Sequence, residues 1–412
     1  MQILIMNQFF WPDTAATGQL LADLTRGLDP NLHVVTVLCG KSPYGVADTT
    51  PPPPVKIVRL GSVPFSRNKV GRVVSYMSFF AAATMHGLRG PKPTIVLTMT
   101  TPPLLSLLGS LIKRLRGSRH FIWEMDLYPD IAIDLNVLKP RSWITRLIWT
   151  VADFSRRRAD GIIVLGEDMK TRLVARAIPE NKIIVAENWA DGCEILPAPF
   201  REGPFVVHYS GTFGLAHDEQ TILGAIRQMR NDYNFRFVFA GGGARRQRVE
   251  EFCRAERNST VEFRPYAKRS DLSRGLAEGH VGLVTQIPET SGSIVPSKVY
   301  GIMAAGRPIL YIGPRGTTPA NIIERYGCGW RIEPGDVQGL VGLLRQLDQD
   351  RGLLNDAGVR ARGAFEEHYD KPIGVARVLS ILGISPVRTP TIAVAAASGQ
   401  SGLPQVRLPT LC

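Results

Sequence analysis

The residues between positions 293 and 310 carry the clearest chemistry in the sequence. They read SIVPSKVYGIMAAGRPIL, a pattern that predicts a short helix running into a buried strand. Ser297 can cap that helix, and Lys298 adds a positive charge to its amino terminus. Backbone N–H groups and an ammonium together favour a diphosphate. The predicted anion site is lined by Ser293, Ser297, Lys298 and Tyr300.

Two glycine-containing turns, each following a predicted strand, point to a similar ligand. The first is YSGTFGLAH at 209–217, and the second is FAGGGARR at 239–246. Without side chains, Gly211, Gly241 and Gly243 would let a phosphate approach the backbone. A tight strand-to-helix connection also needs glycine, but two such turns in one half of the chain favour nucleotide binding.

A third loop, NQFFWPDTAATG at 7–18, follows the first predicted strand. Gly18 would let an anion or a sugar reach the backbone beside a helix amino terminus. The alternative is an ordinary strand-to-helix turn whose helix is capped by Thr17. The loop lacks the GxGxxG pattern, so a dinucleotide is not the expected ligand.

The elements around these loops alternate between apolar runs of five to seven residues and amphipathic helices. That alternation is typical of buried parallel sheets, and it predicts an α/β protein with two Rossmann-like, doubly wound domains that bind ligands at the carboxyl ends of their strands. We expect a first domain over 1–190, a Pro- and Gly-containing linker over 191–203 and a second domain over 204–368. A helix at 369–383 is expected to return to the first domain, and 384–412 reads as a flexible tail.

Composition excludes several classes of protein. The five cysteines form no CxxC pair, which argues against a zinc site and a disulfide framework and fits a reducing compartment. With no recognisable signal peptide and no run of about 18 apolar residues, the expected location is cytoplasmic or peripheral on the cytoplasmic face of a membrane. Nucleic acid is not an expected partner, because no binding motif accompanies the basic residues.

The net charge of +13 is concentrated in residues 1–190, which hold 23 Lys+Arg and 14 Asp+Glu. Clusters at 113–116 and 156–158 would attract the phosphates of lipids or nucleotides, or would form a solvated basic face. The unusually apolar helix predicted over 70–88 could lie on an anionic membrane surface or be buried in the core.

Six segments occur in one order along the chain: NQFFWPDTAATGQLLADL, TTPPLL, EMDLYPD, ENWAD, YSGTFGLAHD and VPSKVYGIMAAGRPIL. Together they resemble bacterial family 4 glycosyltransferases of the GT-B fold, of the type that makes colanic acid, O-antigen and other exopolysaccharides. The resemblance implies two domains facing a cleft and sugar transfer, with retention of configuration and no essential metal or cofactor. The implied donor is a UDP- or GDP-sugar on the second domain, and the implied acceptor is lipid-linked or a polysaccharide precursor on the first.

The resemblance also implies roles for residues. Lys298 and the helix after Ser297 would stabilise the leaving diphosphate, with Gly211 and Thr212 lining the same site. Gly18 would meet that site from the first domain. Asp126, following a parallel strand, would orient or deprotonate the acceptor hydroxyl; the alternative is a helix-capping aspartate.

The chain departs from the family where many members carry a Glu-x7-Glu pair. Ser293 and Gly301 occupy those two positions, so both carboxylates are missing. Two other functions stay open: a nucleotide-sugar epimerase or hydrolase, which shares the GT-B architecture, and a non-catalytic nucleotide-sugar-binding protein, which the missing carboxylates would fit. A NAD-dependent dehydrogenase is disfavoured, because its glycine fingerprint and acidic partner are missing.

Overall fold

The computed structural model describes residues 1–41, 50–65, 68–256 and 259–385. Two all-parallel sheets organise the chain, one of seven strands in the order β3-β2-β1-β4-β5-β6-β7 and one of six in the order β10-β9-β8-β11-β12-β13. In both, the first strand lies near the middle and the order reverses beside it, which is the doubly wound arrangement that the sequence predicts.

The first sheet comprises short strands, and its central strands, such as β4 and β6, are buried on both faces. Its strands are β1 (Gln2–Met6), β2 (Val34–Cys39), β3 (Lys56–Arg59), β4 (Ile95–Thr98), β5 (Arg119–Trp123), β6 (Gly161–Val164) and β7 (Ile183–Val185). Its helices are α1 (Ala16–Arg26), α2 (Lys69–Arg89), α3 (Leu105–Arg116), α4 (Asp130–Asp134), α5 (Trp143–Arg158) and α6 (Glu167–Ala175).

The second sheet repeats the pattern from residue 205 onward. Its strands are β8 (Phe205–Ser210), β9 (Phe235–Ala240), β10 (Val261–Arg264), β11 (Val281–Thr285), β12 (Ile309–Ile312) and β13 (Gly329–Ile332). The helices are α7 (Gln220–Gln228), α8 (Arg246–Ala255), α9 (Arg269–Glu278), α10 (Lys298–Ala304), α11 (Thr318–Tyr326), α12 (Val337–Gln349), α13 (Gly352–His368) and α14 (Lys371–Ile381).

The last helix, α14, packs on the first domain although it follows the second in sequence. Val375 and Leu379 belong to the first domain's hydrophobic core, where Val375 lies against Gly27 at the end of α1. Trp189 also ties this region together, because its indole N–H donates to Asp23 of α1 at 3.2 Å. Ile384, at the start of the expected tail, is buried in the same core, whereas residues 386–412 lie outside the described part of the chain.

The two domains meet through loops at the carboxyl ends of their strands. Asp126, after β5, forms an isolated antiparallel bridge with Ile294, and the Leu127 N–H donates to the Ser293 carbonyl at 2.8 Å. Farther along, the Asp168 carboxylate accepts from the Thr318 hydroxyl at 2.8 Å, across the two domains. This arrangement places the two sets of strand ends on either side of one cleft. Within the described ranges, no helix is long and apolar enough to cross a membrane.

Candidate functional site

Lys298, the first residue of α10, is held by three groups of the second domain. Its Nζ atom donates to the Thr212 carbonyl at 3.3 Å and to His217 Nε2 at 3.4 Å, and it lies 4.6 Å from the centroid of the Tyr209 ring. The Tyr209 face attracts the ammonium, because an aromatic ring carries partial negative charge on its faces. Sequence reasoning found Lys298 and Thr212 but missed Tyr209 and His217, although both lie in the segment singled out for its glycines.

Among the described residues, the ammonium of Lys298 has no anionic partner. Across the described residues, no carboxylate lies within ion-pair distance of Lys298, and burial lowers the pKa of Lys298 to about 7. A cation that is removed from water without a counterion is costly, and an incoming anion would relieve that cost. The site is therefore arranged to receive negative charge.

His217 fixes the position of this ammonium while remaining neutral. Burial, and to a lesser extent the Lys298 charge, lowers the pKa of His217 to about 3. Nδ1 lies 2.9 Å from the Thr285 carbonyl, which can only accept, so Nδ1 carries the proton and Nε2 is left as the acceptor facing Lys298. The imidazole thus orients the lysine without adding charge that would repel or neutralise a ligand.

The two predicted glycine turns, at 209–217 and 239–246, lie next to each other, but their glycines have different roles. Gly211 has φ +125°, and a Cβ there would lie 2.7 Å from Lys298 Cε, so glycine leaves room for the lysine stem. At Gly241 and Gly243, both with positive φ, a Cβ would collide with the backbone of Gly211 and Phe213 respectively. The second turn therefore supports the first from behind, and their close packing is why both need glycine.

Three of the residues predicted around Lys298 are placed differently from expectation. Ser297 is exposed and has helical φ and ψ, and its side chain makes no capping bond, so the predicted capping role is wrong. Ser293 is buried and its hydroxyl donates to the Thr290 carbonyl at 3.1 Å, within its own loop. Tyr300 is 0% exposed and packs against Tyr369, so its side chain belongs to the core rather than to the cleft.

Asp126 lies where the two domains meet, because its backbone pairs with Ile294 of the second domain. Burial, followed by the charge of Glu124, raises the pKa of Asp126 to about 6. Its carboxylate accepts no hydrogen bond from the residues that the structure describes, and α4 begins after Pro129 without a side-chain cap. The alternative assignment of Asp126 as a helix cap is therefore wrong. At neutral pH it is an unpaired carboxylate that can accept a proton.

Arg156 holds the segment that carries Asp126. Although the sequence places it in a basic cluster, Arg156 is 2% exposed and donates to Glu124 Oε1 at 2.9 Å and to the Tyr128 carbonyl at 3.1 Å. These two contacts lie on either side of Asp126 along the chain. The buried ion pair thereby fixes the loop after β5, a role that charge clustering alone could not reveal.

The loop at 7–18 lies at the carboxyl end of β1. Gly18 lies inside α1, where a Cβ would be 3.4 Å from Phe10 N, so its nearest neighbours belong to its own domain rather than to the group around Lys298. Thr17 also lies within α1, so the predicted cap at Thr17 is wrong. Burial raises the pKa of Asp13 to about 7, and one oxygen each of Asn7, Gln8 and Asp13 is buried without a donor among the described residues. These oxygens lack the donors that buried acceptors normally have.

Two parallel, doubly wound sheets that face one cleft define the GT-B class of glycosyltransferase folds, and the predicted fold class is confirmed. HepE of Anabaena, solved in complex with UDP, superposes with a TM-score of 0.70 at 12% identity, covering 93% of this chain and 100% of HepE. At that identity the likeness establishes the fold alone.

Sequence comparison identifies the first domain more closely. Residues 16–189 match the family described as "Glycosyl transferase 4-like domain". The chain is 24% identical over 389 residues to the probable glycosyltransferase WbjE of Pseudomonas aeruginosa, covering 91% of this chain and 96% of WbjE. It is 21% identical over 278 residues to the putative colanic acid biosynthesis glycosyl transferase WcaI of Escherichia coli, covering 63% and 67%. The resemblance stated from the six segments is confirmed.

Proposed function

We propose that this chain is a glycosyltransferase that moves a sugar, with retention of configuration, from a nucleoside-diphosphate sugar to a lipid-linked or polysaccharide-precursor acceptor. The observation that carries the proposal is Lys298, a desolvated cation with no carboxylate partner in the described structure, held at the carboxyl edge of the second sheet. A diphosphate supplies the negative charge that this position lacks.

In the proposed reaction, charge builds up on the leaving diphosphate as the bond to the sugar breaks. Lys298 stabilises that charge, while Gly211 leaves room for the lysine stem and the Thr212 carbonyl holds the ammonium in place. The exposed Ser297 hydroxyl is free to donate to the same group. His217 acts as a positioning residue, since it touches the lysine rather than the substrate.

The acceptor is proposed to enter from the first domain. Asp126 would orient its hydroxyl and take its proton, which is possible because the carboxylate is ionised above a pKa of about 6. The loop at 7–18, at the carboxyl end of β1, would bind other parts of the acceptor. The name of WcaI, which refers to colanic acid biosynthesis, favours a role in polysaccharide synthesis, and the complex of HepE with UDP favours UDP over GDP as the nucleotide.

Retention, independence of metal and a cytoplasmic location are parts of the proposal that rest on the family resemblance. A lysine can supply the positive charge that a divalent ion supplies to a diphosphate elsewhere. In the described ranges, no three His, Cys, Asp or Glu side chains cluster in a way that could hold a metal ion. Transfer activity measured with and without a chelator tests this part directly.

The proposal is tested by screening UDP- and GDP-sugars for a rise in melting temperature, since a ligand that binds only the folded state stabilises it. Wild type and Lys92→Ala, an exposed lysine before β4 and thus at the opposite edge of the first sheet, should respond equally. Lys298→Ala should lose the response. If no nucleotide sugar stabilises wild type, the proposal is wrong.

The productive donor is then incubated with and without membrane extract as a source of acceptor. Transfer of labelled sugar into the extract supports the transferase. Acceptor-independent release of nucleoside diphosphate with an epimerised or free sugar would favour the epimerase or hydrolase instead. Binding of the donor without any turnover would favour the non-catalytic binding protein.

A further inference from the structure

Three neighbouring helices, α2, α3 and α5, cover one face of the first sheet and turn apolar side chains outward. On α3, Leu107, Leu111 and Leu115 are exposed and recur every four residues, so they form one stripe along the helix. The opposite side of α3 is buried in the core through Leu108 and Ile112. The helix is thus apolar on both sides, although only one side has a partner within the described structure.

The flanking helices extend the stripe of α3 in both directions. On α5, Trp143 is 74% exposed, and Ile144 and Leu147 are exposed beside it. On α2, Val73 and Met77 are exposed, while Phe79 and Ala83 on the other side are buried. One side of α2 is therefore part of the core, while its other side is exposed. We call the exposed apolar side chains of α2, α3 and α5 the apolar face.

The charges around the apolar face have one sign. The three helices carry ten Lys and Arg but a single acidic residue, Asp153. Asp153 is buried and pairs with Arg156 and Arg176, so it offers no negative charge at the surface. The exposed bases at the ends of α3 and α5 include Arg114 and Arg146.

A bilayer containing anionic lipid matches this combination. Apolar helical stripes enter the boundary between headgroups and acyl chains, and bordering Lys and Arg side chains bind the lipid phosphates. Tryptophan favours the same boundary, because its ring is apolar and its N–H is polar. A protein partner or a second copy of this chain would have to cover the cations with carboxylates that this face itself does not supply.

The apolar face also borders the cleft. The Gln8 side chain, at the end of β1, donates to the Ser75 hydroxyl of α2 at 2.9 Å. Phe9 contacts Phe65, which in turn contacts Tyr76 of α2. The first turns of α2 therefore connect the outer surface to the loop where the acceptor is proposed to bind.

We propose that the apolar face docks this chain on an anionic lipid bilayer, with α2, α3 and α5 lying against the headgroup region. Docking in this orientation brings the carboxyl edge of the first sheet next to the membrane surface, where a lipid-linked acceptor resides. The link to that acceptor rests on the proposed function, whereas membrane binding itself does not.

The test is flotation of the full chain with vesicles of phosphatidylcholine, with and without phosphatidylglycerol, in the absence of donor and acceptor. Wild type should float only with the anionic vesicles and should be released by high salt, because salt screens the lysine and arginine contacts. Arg141 is exposed two residues before α5, and Arg141→Ala combined with Arg146→Ala should weaken binding roughly 30-fold, because two cations at the surface are lost. Arg345→Ala, an exposed arginine of α12, is the matched control and should float like wild type.

The apolar contribution is tested by Trp143→Ser combined with Leu147→Ser, which should abolish flotation, whereas Val359→Ser on α13 should leave it unchanged. Brominated lipid should quench part of the wild-type tryptophan fluorescence, and that part should disappear in Trp143→Phe. Circular dichroism checks that each variant is folded.

Two results would overturn the docking proposal. One is wild type that stays with the soluble fraction on anionic vesicles, and the other is a wild-type dimer that the Trp143 and Leu147 substitutions dissociate. Because neither measurement involves the donor, both leave the transferase proposal standing. Failure of the nucleotide-sugar screen would likewise leave the docking surface intact.

Discussion

The two domains present opposite unpaired charges to the same cleft. The second domain contributes the ammonium of Lys298, whose pKa is lowered to about 7, and the first contributes the carboxylate of Asp126, whose pKa is raised to about 6. In both cases desolvation is the largest cause, and each group lacks an ionic partner among the described residues. Had they met, they would have formed a salt bridge and restored their ordinary pKa values.

In both domains, desolvation of a charged group prepares it for a ligand, but the sign of the charge selects a different ligand. A desolvated cation attracts a leaving diphosphate, and a desolvated carboxylate attracts the proton of an attacking hydroxyl. The supporting groups differ accordingly. Lys298 is held by a neutral imidazole and a ring, while the loop of Asp126 is fixed by the buried Glu124–Arg156 pair. In each domain, the neighbouring groups hold the charged residue or its loop in place without neutralising the charge.

Removing the cation is expected to have the largest effect. Lys298→Met should lower kcat/KM by at least about 100-fold, corresponding to about 3 kcal/mol of lost transition-state stabilisation. The same variant should melt at an equal or higher temperature than wild type without ligand, because it removes an uncompensated buried charge. Steady-state kinetics and calorimetric melting check both statements. A lower melting temperature would assign Lys298 to the fold instead of the reaction.

Removing the carboxylate should affect turnover and leave donor binding unchanged. Asp126→Asn keeps the shape of the side chain but cannot accept the acceptor's proton, so kcat should fall by about 100-fold. The dissociation constant for the nucleotide sugar, measured by calorimetry, should match that of wild type. Equal losses in both quantities would mean that the two charges act on one ligand.

Both groups should set the pH dependence of kcat/KM. Catalysis needs Asp126 deprotonated, so activity should fall as the pH drops below about 6, and it needs Lys298 protonated, so activity should fall as the pH rises above about 7. The resulting bell should lose its acid limb in Asp126→Asn. Lys298→Arg should lose the alkaline limb, because a guanidinium stays charged. A bell that is unchanged in either variant would assign that limb to another group.

The smallest effect is expected from the positioning residue. His217→Leu removes the acceptor facing Lys298 and should reduce kcat/KM about tenfold, while His217→Gln retains an acceptor and should recover part of that loss. The alkaline limb of the pH profile should move in His217→Leu, since the surroundings of the lysine change. A purely structural role would lower the melting temperature of both variants and leave the pH profile in place.

Sequence reasoning succeeded where the pattern is local. The buried parallel strands follow from short apolar runs, and Lys298 follows from a cation placed just after a loop and at the start of a helix. Tyr300 could have been excluded by the same reasoning. Residues i and i+2 of a helix are about 200° apart around its axis, so Tyr300 points away from the side that carries Lys298.

Other assignments depended on contacts between distant residues. The carbonyl of Ser293 accepts from Leu127 in the other domain, and Arg156 on α5 reaches Glu124 just after β5, so neither role has a local signal. His217 was overlooked because it acts as an acceptor for Lys298 only in the tautomer that the Thr285 carbonyl fixes. Such contacts follow from the fold rather than from spacing along the chain.

The most direct test of the central claim is proton uptake when the donor binds. The nucleotide sugar that gives the largest thermal shift is titrated by calorimetry at about pH 8, in buffers that differ in ionisation enthalpy. Lys298 should then be mostly neutral in the free protein and charged in the complex, so wild type should take up about one proton per donor, and Lys298→Met should take up none. A binding enthalpy in wild type that does not depend on the buffer would contradict the account.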